Sequence, residues 1–101
     1  MQLIQLLLPL YDNQGQAFDG AMYQQVRDEL IAGFGGVTAY TRAPASGMWQ
    51  QGEGAVRDDL IIYEVMTEAL DQAWWRNYRV SLEQRFLQES LVIRAHEIRM
   101  L

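Results

Sequence analysis

The chain has no cysteine and no lysine, and His96 is the single histidine among its 101 residues. Without cysteine there is no disulfide, no thiol nucleophile and no thiolate ligand for zinc or an iron-sulfur cluster. Without lysine there is no amine for a Schiff base, no anchor for pyridoxal phosphate and no P-loop ammonium, and no motif implies any other cofactor. All eight bases are arginine, set against thirteen acids, for a formal net charge of -5. An acidic chain repels a polyanion, and no arginine run interleaves with aromatics, so nucleic acid is not an expected partner. Long apolar runs are missing as well. The N-terminal stretch MQLIQLLLPL is broken by Gln5 and stopped by Pro9. It is too short to span a bilayer and lacks the basic start and cleavage pattern of a signal peptide. No membrane is expected as a partner, and a cytoplasmic location is the default expectation.

What is present suits one hydrophobic core. Half of the residues are apolar, with three Trp, five Tyr and three Phe, enough to offset chain entropy in a single domain spanning residues 1–101. Leu3–Leu8 has the length and apolarity of a buried strand. Its two faces, Leu3/Gln5/Leu7 and Ile4/Leu6/Leu8, are both largely apolar. Asp19 can cap a helix carrying Met22, Val26, Leu30 and Phe34 at helical spacing, and Gly35-Gly36 is a left-handed stop for it. Val37–Thr41 reads as a second strand and Asp58–Val65 as a third. The connection 43–56, with Pro44, Gly47, Gly52 and Gly54, is either an extended hairpin or a functional loop. A longer helix is expected from Glu68 to Gln88, with Thr67 as N-cap, and a fourth strand over 91–96.

The expected fold is therefore α+β: a ferredoxin-like β-α-β-β-α-β sandwich, with a four-stranded antiparallel sheet and two helices on one face. One face of that sheet would stay open, and the first strand contributes apolar residues to either face. An open apolar face marks a partner surface, so a homodimer or higher assembly packed through the sheet is expected.

Three segments carry a resemblance: Phe34-Gly35-Gly36-Val37-Thr38, Gly47-Met48-Trp49, and Arg85-Phe86-Leu87-Gln88-Glu89-Ser90. They resemble the Phe-x-x-Gly-Leu-Thr, Gly-x-Trp and Arg-Phe-x-Gln-Glu-Ser segments of an uncharacterised family of small bacterial proteins, a domain of unknown function. The resemblance implies a similar ferredoxin-like fold and a shared site around the Gly-x-Trp loop, with no reaction to carry over.

The candidate ligand-binding residues are few. His96 is the only imidazole and Arg94 shares its strand face two positions away, so the pair can hold an anion or work in acid-base chemistry. The bland alternative is a solvated histidine near a chain end. Trp49, with Arg42 nearby, can close over a small molecule, or fold back over a sheet edge. Tyr63 is a further polar or stacking group. Glu64 reads as a solvated charge or a partner of Arg57. Trp74 and Trp75 diverge by about 100° on a helix, one towards the core and one towards its boundary. No three ligands recur at metal-binding spacing. Two functional readings are open. One is a small self-associating interaction or ligand-sensing domain. The other is a small dimeric α+β barrel-type enzyme acting on an apolar or aromatic molecule.

Overall fold

The computed structural model describes the backbone of residues 1–51 and 54–101 and the side chains of residues 1–40 and 60–101. The elements run β1 (Gln2–Pro9), α1 (Gly20–Phe34), β2 (Thr38–Gln51), β3 (Gly54–Thr67), α2 (Gln72–Arg85) and β4 (Val92–Glu97). The four strands form one sheet in the order β2-β3-β1-β4, each neighbour antiparallel to the next. Each helix connects two strands that have a third between them, the split β-α-β arrangement of a ferredoxin-like α+β fold.

α1 forms where its apolar spacing places it. Asp19 accepts a hydrogen bond from the Ala21 N–H, satisfying one orphan donor of the first turn. Gly35 ends the helix at φ 83°, its N–H donating to the Ile31 carbonyl at 2.8 Å. α2 departs from expectation. It starts at Gln72 rather than Glu68, and its N-cap is Asp71, which accepts from the Trp74 N–H. Thr67 instead closes β3 and donates its hydroxyl to the Ala69 carbonyl. With 14 residues against 15 for α1, α2 is not the longer helix.

The segment 43–56 is an extended hairpin in its described backbone, since β2 reaches Gln51 and β3 begins at Gly54. Register shifts between Tyr40, opposite Ile62, and Ala45, opposite Leu60. The residues of β2 between these two points thus outnumber those of β3. Pro44 lies in this irregular stretch of an edge strand, where its missing N–H costs no ladder bond.

The core lies between the helices and one face of the sheet. β1 contributes Ile4, Leu6 and Leu8, β3 contributes Ile61, Tyr63 and Val65, and α1 contributes Tyr23, Val26 and Leu30. α2 adds Trp75, Tyr78 and Leu82, with Phe86 and Leu91 just beyond it. Trp75 is buried and Trp74 is 40% exposed, the division their angular offset implies. Each fully buried large side chain contributes about 1.5–3 kcal/mol relative to its exposed state.

Candidate functional site

Among the described residues, the opposite face of the sheet has no helix over it. Register assigns its rows. Leu3 stands between Met66 and His96, Gln5 between Glu64 and Arg94, and Leu7 between Ile62 and Val92. Thr38 and Tyr40 extend the Glu64 and Ile62 rows. Met66, Val92 and Tyr40 are each about half exposed, while Leu3, Leu7, Leu60 and Ile62 are half-buried.

A polar ladder crosses this apolar surface. Arg94 Nε donates to Gln5 Oε1 at 2.8 Å, and Gln5 Nε2 donates to Glu64 Oε1 at 2.8 Å. Tyr40 donates its hydroxyl to Glu64 Oε2 at 3.3 Å. One cation and one anion are thereby joined through a neutral amide, so the row is electrically balanced. Such charge-assisted bonds hold their side chains more firmly than neutral ones. Glu64 is more than a solvated charge, and the side chain of Arg57, its expected partner, lies outside the described residues. Glu64 is half-buried and bonded to Gln5 and Tyr40.

The sequence-derived site residues separate. Arg94 and His96 share the open face, both exposed, with His96 opposite Leu3 rather than in a cleft. Tyr63 lies on the other face, fully buried, and Arg27 Nη1 donates to its hydroxyl oxygen at 2.7 Å. Burial raises the Tyr63 pKa, with the Arg27 guanidinium opposing the rise. Tyr63 and His96 therefore cannot act on one small substrate within a chain. The side chains of Arg42 and Trp49 lie outside the described residues. Gln5 and Glu64 are ladder members that sequence reasoning did not single out as site residues. The available signal was the position of Gln5, a polar residue interrupting an apolar strand.

A second feature lies at the sheet's β4 edge, where a cavity of about 210 Å³ opens between α2 and β4. Ile4 and Trp75 are its buried residues, and Arg76 and Arg79 line it from α2. Elsewhere between the helices, Arg85 makes a two-bond contact with the Glu29 carboxylate, which also accepts from the Tyr78 hydroxyl. The Arg85 hydrogen bonds hold the Glu29 carboxyl below its usual range. Burial, then the Glu29 bond, pushes Tyr78 upward. This cluster joins α1 to α2, and none of its residues lines the cavity between α2 and β4.

No helix among the described residues is long and apolar enough to cross a membrane. No protein-family model and no curated protein matches the chain. Among solved structures, the chain is similar to a phage SAM lyase in complex with S-methyl-5'-thioadenosine, with a TM-score of 0.62 and 12% identity. The match covers 95% of this chain and 80% of that one, and it establishes a shared fold.

Proposed function

We propose that the chain is a small ligand-binding domain that self-associates through the open face of its sheet. The observation that carries this reading is the composition of that face. Leu3, Leu7, Leu60, Ile62, Met66 and Val92 surround a ladder whose cation and anion are already joined through Gln5. Copies of a chain with net charge -5 repel one another over most of their surface. Among the described residues this part of the face is apolar with its ladder charges joined, which suits a contact between two copies. The ligand-bound structural neighbour supports the ligand-binding half. Light scattering after size exclusion, over a range of protein concentrations, tests the assembly. The wild type should run as a dimer or larger species and an Ile62→Asp variant as a folded monomer. A wild-type monomer at every concentration overturns self-association.

A second reading, a small enzyme, is favoured by the description of that neighbour as a lyase. With His96 and Arg94 on the open face, a pocket using them would form only at the junction of packed copies. Calorimetric titration with S-methyl-5'-thioadenosine tests it. Saturable binding abolished by Ile62→Asp supports a junction site, and absence of binding to the assembled wild type removes this reading.

A further inference from the structure

The cavity between α2 and β4 combines three features that the open face lacks. The first is its charge. Arg76 and Arg79 line it from α2, Arg94 borders it from β4 with its guanidinium turned to Gln5 on the open face, and no acid among the described residues lines it. In a chain with thirteen acids, a concavity bordered by cations alone is a local reversal of the overall field. Arg76 and Arg79 are three residues apart on α2 and so occupy the same helix face, an arrangement that costs like-charge repulsion unless an anion relieves it.

The second feature is an unmet donor. Arg79 Nε is out of contact with water and has no acceptor among the described residues. Its nearest carboxylate oxygen, Glu83 Oε2, stands 3.9 Å away, beyond hydrogen-bond range. That oxygen accepts the Leu91 N–H at 2.9 Å instead. Glu83 therefore braces the chain leaving α2 and pairs with the Arg79 charge at 3.9 Å while leaving its Nε without a hydrogen bond. A buried donor without an acceptor is costly, and a small turn of the Arg79 side chain towards an oxyanion in the cavity would satisfy it. Arg76 is partly engaged, with Nη2 donating to Gln72 Oε1 at 3.0 Å.

The third feature is the edge of the sheet. β4 is an outer strand, paired among the described residues with β1 alone. The Ile98 N–H donates to the Met1 carbonyl at 2.9 Å. Alternation from that bond points the N–H groups of Ile93 and Ala95 away from β1. Both residues line the cavity, so backbone donors, alternating with the carbonyls of the same residues, border it on the β4 side. Leu70, Trp75 and Ile93 supply apolar wall. A volume of about 210 Å³ equals roughly seven waters at ~30 Å³ each, room for a compact molecule.

We propose that this cavity binds an oxyanion carried on a small apolar or aromatic body. The oxyanion lies against Arg76 and Arg79, and the body against Leu70, Trp75 and Ile93. The inference deepens the ligand-binding half of the proposed function and does not depend on self-association. A carboxylate and a phosphate monoester share the oxyanion, so both are probed.

The test is a heteronuclear NMR titration of the full chain with benzoate, phenyl phosphate, inorganic phosphate and benzylamine in parallel. Benzoate or phenyl phosphate should shift the Leu70, Trp75 and Ile93 resonances saturably, and whichever binds more tightly identifies the oxyanion. Arg79→Gln should weaken that binding about ten-fold or more, the loss of one charge-assisted bond. Arg99→Gln should leave it unchanged. Should Arg79→Gln not fold, Arg76→Gln, altering an exposed side chain, carries the same comparison. The proposal is overturned by no saturable shift up to roughly 10 mM, or by affinity that both arginine variants retain. Equal binding of benzylamine overturns the oxyanion assignment, and equal binding of inorganic phosphate overturns the apolar wall. Repeating the titration on the Ile62→Asp monomer keeps the proposals separable, because this cavity lies on the helix side of the sheet and should bind unchanged.

Discussion

Two helix ends solve one problem with different residues. After α1, Gly35 takes the left-handed conformation at φ 83°, where lack of a Cβ makes it cheap. After α2, the same role falls to Leu87 at φ 52°. Its N–H donates to the Gln84 carbonyl at 3.3 Å and the Gln88 N–H donates to the Glu83 carbonyl at 2.9 Å, the paired bonds of a Schellman motif. Leu87 is 71% exposed, so its side chain gains little from burial to offset the strain. Leu87→Gly should therefore stabilise the fold by about 0.5–1 kcal/mol, while Gly35→Ala should destabilise it by about 1 kcal/mol. Urea unfolding of both variants measures the contrast, and equal effects would refute it. Glu29 sets a second expectation at this scale. Its carboxyl is held below the ordinary value, chiefly by the Arg85 hydrogen bonds. A depressed folded pKa gives stability that is present above the unfolded value of 4.5 and is lost as pH falls through the folded one. With a third of the Glu29 side chain in contact with water, the contribution is discounted to about 1 kcal/mol. Glu29→Gln should lower the urea midpoint at pH 7 and flatten the decline in stability below pH 4.5.

At the scale of elements, legibility tracks the range of the interaction. α1 is readable because its cap, its apolar stripe and its glycine stop all lie within seventeen residues of one another, from Asp19 to Gly35. The start of α2 is misread because Glu68–Leu70 is as helix-prone as the residues of the helix itself, and only Asp71 marks the entry. The long β2 is hidden by glycine and proline, which punctuate a central strand but are tolerated along an irregular edge strand. Arg94 and His96 are visible as a polar pair on one strand face, yet the ladder is not. Its bonds join residues 89 and 59 positions apart, and cross-strand register leaves no local trace. The motif Arg85-Phe86-x-Gln88 is explained by structure: Arg85 holds Glu29, Phe86 fills the core and Gln88 Nε2 donates to the Phe86 carbonyl. The ladder has its own consequence. Replacing Gln5 with Leu separates Arg94 from Glu64. On an open face both ends reach water, and stability should change by under about 1 kcal/mol. Under a second copy they would be buried without partners, at several times that cost. Gln5→Leu should thus dissociate the assembly while leaving the thermal midpoint of the monomer nearly unchanged. Retained assembly would show that the ladder lies outside the interface.

For the whole molecule, net charge decides how the proposed assembly would respond to salt. Each copy carries -5, and the ladder on the open face holds one acid and one arginine, joined through Gln5. Two interactions therefore oppose each other when copies meet. Burial of apolar side chains favours contact and depends little on ionic strength, whereas repulsion between the remaining acids acts over longer distances and is screened. The Debye length falls from about 30 Å at 0.01 M to about 10 Å at 0.1 M, so adding salt over that range removes most of the repulsion between opposed surfaces. An interface held by ion pairs between copies would respond in the opposite sense, since screening weakens attraction as well. The dissociation constant of the proposed dimer, measured by sedimentation at both ionic strengths, should fall several-fold as salt is raised. A rise would mean that Arg94 and Glu64 exchange partners between copies, and the ladder seen within one chain would then be the unassembled arrangement.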